Sequence, residues 1–279
     1  MTDINTYNRV KDFIESQFKV NLTHYQEMLL QYCLDDEIQD KLSKQDVIFA
    51  VASGRPYYNL VERFKNIKDN MLFISENGAC VMYQEKEIYS NTMKREDIFF
   101  LLNICKNIKG IVPILCGKKS AYVEKNIYYN DRCGFKEEIS KYYNKLEIVD
   151  DLNEIEDEFF KIAVCDFLIS EKNSYKYFKG YEDKFQVVIS GKVWMDLGKL
   201  DTSKGMAIRM TQQNLNISYD ETMVFGDYLN DYSMMEEAKY SYAMKNAHPQ
   251  LKEVANFITK EDNDNNGVLE TIKEYFPNL

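Results

Sequence analysis

Apolar and polar positions divide the chain into three textures. Residues 5–17 carry Tyr7, Val10, Phe13 and Ile14 on one stripe, the spacing of an amphipathic helix. A second helix is expected over 35–45, capped by Asp35 or Asp36. Val47-Ile48-Phe49-Ala50-Val51-Ala52 is an unbroken apolar run, the habit of a strand covered on both faces in a parallel sheet. It stops at Ser53-Gly54-Arg55-Pro56, and Tyr58, Leu60, Val61 and Phe64 then mark a helix. Met71-Leu72-Phe73-Ile74-Ser75 repeats the buried-strand pattern and ends at Glu76-Asn77-Gly78-Ala79.

From about 83 to 192 the pattern changes. Strand-like alternation at 121–123 and 185–189 mixes with charged helical stretches over 95–106, 135–143 and 152–158, which reads as an α+β module. The first texture then returns: a helix over 203–215, a buried strand over 223–226, a helix over 230–238 and a strand over 240–244. This alternation predicts an α/β, Rossmann-like parallel-sheet core built from 1–82 and 193–279, its two flanks sharing one sheet. An α+β cap over 83–192 would interrupt it.

Composition narrows the function classes. Hydrophobic residues are 45% of the 279 positions, enough for a sizeable core. With 35 Lys+Arg against 45 Asp+Glu the net charge is −10, which argues against nucleic acid as a partner, since that binding needs phosphates neutralised by basic side chains. There is no run long enough for a membrane span and no secretion signal at the N-terminus, so a soluble, cytoplasmic protein is expected. Six cysteines without a C-x-x-C pair read as free thiols, and two distant histidines, His24 and His248, leave little scope for a zinc site or a Ser-His mechanism. The chemistry would fall to carboxylates, a lysine or Mg²⁺.

Three polar groups stand where a parallel α/β sheet presents ligand-binding residues, just past strand carboxyl ends. Ser53 follows the strand at 47–52; Asp227, Asn230 and Asp231 follow the strand at 223–226. Lys204 opens the helix at 203–215, with Thr202 or Ser203 as its cap, and a helix N-terminus favours anions. Together, a hydroxyl, an ammonium and carboxylates suit a phosphate group bridged by Mg²⁺. Alone, Ser53-Gly54-Arg55 is equally a strand-to-helix turn and Lys204 a solvated lysine; the ordered set carries the signal. Tyr122, Tyr128, Tyr129, Tyr142 and Tyr143 read as packing residues before a sugar-binding surface, and the Asp262–Asp264 stretch as a solvated turn.

The ordered segments resemble the haloacid-dehalogenase-like phosphatases, in particular the Cof-type branch (subclass IIB) with a large inserted cap. Val51-Ala52-Ser53-Gly54-Arg55-Pro56, Ile74-Ser75-Glu76-Asn77-Gly78-Ala79, Thr202-Ser203-Lys204-Gly205-Met206-Ala207 and Phe225-Gly226-Asp227-Tyr228-Leu229-Asn230-Asp231 match the family's segments in order. So do Ala243-Met244-Lys245-Asn246-Ala247 and Asn263-Asp264-Asn265-Asn266-Gly267-Val268. The resemblance implies Mg²⁺-dependent hydrolysis of a small phosphorylated metabolite, such as a sugar phosphate, through an aspartyl-phosphate. It implies that Ser53, with Gly54 and Arg55, binds the phosphoryl group and that Lys204 neutralises it. Asp227 would ligate Mg²⁺, Asn230 would contact phosphate or the lysine, and Asp231 would support the metal or orient Lys204.

One departure qualifies the resemblance. The family's first motif, D-x-D-x-T or V, is not intact. By position Phe18-Lys19-Val20-Asn21-Leu22-Thr23 stands nearest, with Asn21 and Thr23 in place of the nucleophile and the general acid. Asp3 and Asp12 are the other acids considered. Two rival readings follow: a relative that binds a phosphorylated metabolite without turning it over, and a sugar-phosphate mutase, which needs the same aspartates.

Overall fold

The structure, a computed structural model, describes residues 47–130 and 134–276. The helices expected over 5–17 and 35–45, and Asn21, Thr23, Asp3 and Asp12, lie outside the described residues. Strand β1 (Phe49–Ala52) leads into helix α1 (Tyr57–Arg63), and β2 (Met71–Ser75) returns parallel to β1. Strands β3 (Cys80–Tyr83) and β4 (Lys86–Ser90) add antiparallel, giving the order β1-β2-β3-β4.

A six-stranded sheet follows: β5 (Ile111–Gly117), β6 (Ala121–Glu124), β7 (Leu146–Val149), β8 (Phe159–Asp166), β9 (Phe185–Gly191) and β10 (Trp194–Lys199), in the order β7-β6-β5-β8-β10-β9. All its pairings are antiparallel except β6 with β7. Helix α2 (Arg95–Cys105) covers one face through Ile98, Leu101, Leu102 and Cys105, which meet Leu115, Ile162, Val164 and Met195. Ile114, Cys116, Ala163 and Cys165 point to the other face, against Phe135, Ile139 and Tyr143. Side chains alternate along a strand, so a strand with both faces covered is apolar throughout. All eight residues of β8 are buried.

The chain then forms α3 (Lys204–Leu215) and the parallel strands β11 (Met223–Gly226), β12 (Tyr240–Ala243) and β13 (Phe257–Ile258), closed by α4 (Gly267–Tyr275). The mixed α/β architecture expected from the sequence is therefore present. The two flanks share a core, since Phe49 and Ala52 pack against the cluster of Val224, Ala243, Leu251 and Ile272. Among the described residues no strand pairing joins β1 to β11. Within 47–52 the strand covers Phe49–Ala52, and Ala50 is exposed where an unbroken buried run was expected.

Three expected helices are shorter than their patterns, and the one over 135–143 ends at Ser140. Residues 152–158 make a single 3₁₀ turn, Leu152–Glu154, capped by Asp151, before the chain straightens into β8. Residues 230–238 split into a 3₁₀ turn, Leu229–Asp231, and a short helix, Tyr232–Met235. The Asp231 carboxylate accepts the backbone N–H groups of Asp227 and Tyr228, which folds the turn back on itself. Among the described residues no helix is long and apolar enough to cross a membrane.

Candidate active site

The Ser53 loop continues the parallel register of β1 and β2, with Ser53 N–H donating to Ile74 O at 2.9 Å. The turn after β2 grips the same loop: Asn77 N–H donates to Ser53 O and Glu76 N–H to Arg55 O, both at 3.0 Å. Arg55 N–H donates to Ser53 Oγ at 3.2 Å, so backbone geometry orients the hydroxyl. Glu76, Asn77 and Gly78 have φ values of 50°, 55° and 101°, three successive left-handed residues. Non-glycine residues adopt that region at a cost, and it recurs at functional turns. A Cβ on Gly78 would lie 2.1 Å from Ser203 O, so the turn is pressed onto the first residues of α3.

Helix α3 is capped by Ser203, whose Oγ accepts from Met206 N–H at 3.1 Å. Its first residue, Lys204, is buried and places Nζ 2.6 Å from Asp231 Oδ1. The other Asp231 oxygen accepts from Asp227 N–H at 3.1 Å, so both of its oxygens are engaged. Gly205 allows this approach, since a Cβ there would meet Ser233 O at 2.3 Å. Lys204, Asp227 and Asp231 are thus tied directly to one another, and the Ser53 loop is held to the same helix start indirectly, through the Asn77–Gly78 turn. Asn230 lies exposed on the 3₁₀ turn Leu229–Asp231.

Asp227 stands at the open side of this unit. Partial desolvation, then the neighbouring Asp231 carboxylate, raise its carboxyl above the ordinary aspartate range, against the opposing pull of Asn263 and Lys204. Asn263 Nδ2 donates to Asp227 Oδ2 at 2.9 Å, while Asn263 Oδ1 is buried with no hydrogen-bond partner. A hard carboxylate beside an unsatisfied amide oxygen fits Mg²⁺, which takes few protein oxygens and keeps water and phosphate oxygens. Among the described residues no three Asp, Glu, His or Cys side chains converge as a metal cage.

Residues from the middle of the chain touch the Ser53 segment and the helix after it. Arg55 lies over the Tyr142 ring at 5.8 Å, and Asn59 Nδ2 donates to Tyr142 O at 2.6 Å. Arg55 Nη1, Tyr58 Oη and Asn77 Oδ1 are buried atoms without hydrogen-bond partners, and desolvation lowers the Arg55 pKa. Buried polar atoms left unpaired are costly, so each of the three calls for a partner such as water or a bound polar group. Of the five tyrosines considered from the sequence, Tyr142 meets the Ser53 segment. Tyr143 contacts Cys116, Tyr122 donates to Asp157, and Tyr128 and Tyr129 pack together under Lys136.

Sequence reasoning passed over Asn77, Asn263 and Tyr58 as site residues. Asn263 sits in a polar stretch whose composition is that of any solvated turn, and its contact with Asp227, 36 positions away, exists only in the folded chain.

A family model described as haloacid dehalogenase-like hydrolase matches residues 35–272. Among relatives, the 5-amino-6-(5-phospho-D-ribitylamino)uracil phosphatase of Escherichia coli (strain K12) is 30% identical over 234 residues, 83% of this chain and 84% of that protein. A phosphatase of Bacillus subtilis (strain 168) is 24% identical over 87% of this chain and 93% of its own. Among solved structures, a Streptococcus mutans UA159 protein superposes with a TM-score of 0.73 at 29% identity, over 93% of this chain and 94% of that one. A subclass IIB sugar phosphatase superposes with a TM-score of 0.64 at 20% identity, over 86% and 90% of the two chains, a likeness of fold.

Proposed function

The chain belongs to the haloacid dehalogenase-like hydrolases, and on that premise we propose that it is a Mg²⁺-dependent phosphatase of a small phosphate monoester. The observation that carries this reading is the joining of the Ser53 loop to the Lys204 helix start through the left-handed Asn77–Gly78 turn. A hydroxyl and a buried ammonium brought together in this way suit a phosphate dianion. The E. coli relative is named for a phosphate ester on a ribityl chain. We carry over that chemistry, a phosphorylated polyhydroxy compound or sugar, as the substrate class. The middle of the chain, about 83–192, would act as the cap that sets specificity.

In this reading Ser53 Oγ, with Gly54 and Arg55, binds the phosphoryl oxygens. Lys204 offsets their charge, and Asp231, whose two oxygens meet Lys204 Nζ and Asp227 N–H, holds Lys204 in place. Asp227 and Asn263 would hold Mg²⁺, which would supply positive charge to the transferring phosphoryl group. Asn230, exposed on the same turn, would contact the substrate phosphate. Loss of hydrolysis in Ser53→Ala and Lys204→Met, together with loss on chelating Mg²⁺, would support this assignment. Undiminished turnover in Lys204→Met would overturn it.

A second reading rests on one observation in the sequence, Asn21 and Thr23 in place of two aspartates. An amide cannot serve as the attacking carboxylate, so such a chain would hold a phosphorylated metabolite without splitting it. Turnover of a sugar phosphate by the unmodified chain and by Asn21→Asp/Thr23→Asp separates the two. A rise of at least about a hundredfold in the double variant identifies the binder. Brisk turnover by the unmodified chain, lost when Asp3 or Asp12 is changed, identifies the enzyme.

A further inference from the structure

Lys161 lies at the seam between the six-stranded sheet and the Ser53 loop. It projects from the middle of β8, and its ammonium lies 2.9 Å from Glu76 Oε2 and 3.4 Å from Asp196 Oδ2. The lysine side chain is 10% exposed and that of Glu76 2%, so this is a buried ionic cluster. A third contact leaves the cluster: Lys161 Nζ donates to Gly54 O at 3.4 Å, across 107 positions of sequence. Gly54 is the middle residue of the loop that orients Ser53, and Glu76 opens the left-handed turn that grips it.

We propose that Lys161 is a positioning residue for the phosphate loop, a cap lysine that ties Gly54 O and the Glu76 turn to the six-stranded sheet and so couples cap seating to the orientation of Ser53. The inference rests on the phosphate-site reading above for what the loop binds, but not for the geometry itself. Burial disfavours the lysine's charge, yet Asp196 and Glu76 outweigh it and hold its pKa well above the ordinary range. An ammonium held charged in a dry seam is a strong donor to a carbonyl. Apolar contacts close the same seam beside it, where Phe160 packs on Ala79 and Cys80. Those contacts would hold the cap without Lys161, whereas only Lys161 reaches the loop carbonyl from β8 in the contacts described. Removing it is therefore expected to loosen the loop before it loosens the cap.

The test compares the unmodified full chain with Lys161→Met, Lys161→Arg and Lys161→Met/Glu76→Gln. The double variant removes one of the two carboxylates that the single change would strand. Amide exchange is followed without ligand in peptides covering 53–56 and 76–78, and inorganic phosphate binding by calorimetry. In Lys161→Met and the double variant, exchange in both peptides should quicken about tenfold while β5 and β8 stay protected, and phosphate affinity should fall about tenfold. Lys161→Arg should recover both to within about threefold. Unchanged exchange and phosphate affinity in a folded double variant would overturn the proposal. So would exchange that quickens equally throughout the sheet, which marks a purely structural lysine. If the unmodified chain binds no phosphate, the proposed function fails, and the exchange experiment still decides the role of Lys161.

Discussion

The ammonium of Lys204 meets Asp231 Oδ1 at 2.6 Å, and the two side chains are only 7% and 9% exposed. The pair joins the first turn of α3 to the turn after β11, two elements 27 positions apart. Each member has a second task. The lysine opens α3 from its first position, and the aspartate's other oxygen accepts the Asp227 N–H.

Breaking this pair should cost the fold as well as the site. Removing one partner of a buried ion pair typically costs about 3–5 kcal/mol. Lys204→Met should therefore lower the midpoint of thermal unfolding by roughly 2–4 °C per kcal/mol lost. Asp231→Asn keeps the shape but drops the charge, and should also lose stability. A loss below about 1 kcal/mol in both, measured by urea unfolding, would place the pair among weak surface bridges.

Gly78→Ala should be among the most damaging single-methyl changes in the chain. Its φ of 101° disfavours any Cβ, and that Cβ would lie 2.1 Å from Ser203 O. The turn would have to move away from α3, so phosphate affinity should fall together with stability. We expect a loss of several kcal/mol, at the upper end for one substitution, read by urea unfolding. A variant as stable as the parent would show that the Gly78–Ser203 approach is not required.

Metal affinity should track Asp227. Calorimetric titration with Mg²⁺ should show at least about a tenfold loss in Asp227→Ala, and a smaller loss in Asn263→Ala, whose amide donates to the same carboxylate. Equal affinity in the parent and Asp227→Ala would move the metal elsewhere.

The pH dependence of stability should expose Glu76. Burial raises its carboxyl above the ordinary glutamate range, against the pull of Lys161. The folded state then holds this proton more tightly than the unfolded chain does. Its contribution favours the fold below the unfolded glutamate pKa and is lost as pH rises through the raised value. The unfolding midpoint of Glu76→Gln, which cannot ionise, should therefore fall less than that of the parent as pH rises from 4 to 8, whatever the loss of the Lys161 contact costs at a single pH. The opposite trend would mean that the two ionic contacts of Lys161 more than offset the burial of Glu76.

The thiols should be inert in the native state. Cys80, Cys105, Cys116 and Cys165 are free and buried, and burial pushes each up to about 12. At pH 8 only about one such thiol in ten thousand is ionised, so a native-state alkylation time course should leave these four unlabelled. Rapid labelling of any of them, read by peptide mass, would contradict the packing around it.

Much of the core was legible because its strands are covered on both faces. Residues 71–75 and 223–226 had to be apolar wherever they lay, and the structure places strands at those bounds. Helix α3 was equally plain, since Ser203 caps it by a local bond to Met206 N–H. Local rules of this kind need only neighbours in sequence. They misjudged 230–238, where the side chain of Asp231 turns back onto Asp227 N–H and breaks a helical pattern. The ordered motifs at Ser53, Lys204 and Asp227 pointed to phosphate chemistry before any contact was known. Tertiary structure alone brought Asn263 to Asp227, drew Lys204 onto Asp231, and set Lys161 against Glu76 and Gly54. A lysine in β8 or an asparagine in a polar turn has the same local pattern whether it faces solvent or a charge far away in sequence. Burial and direction, which only the packed chain supplies, decide between them.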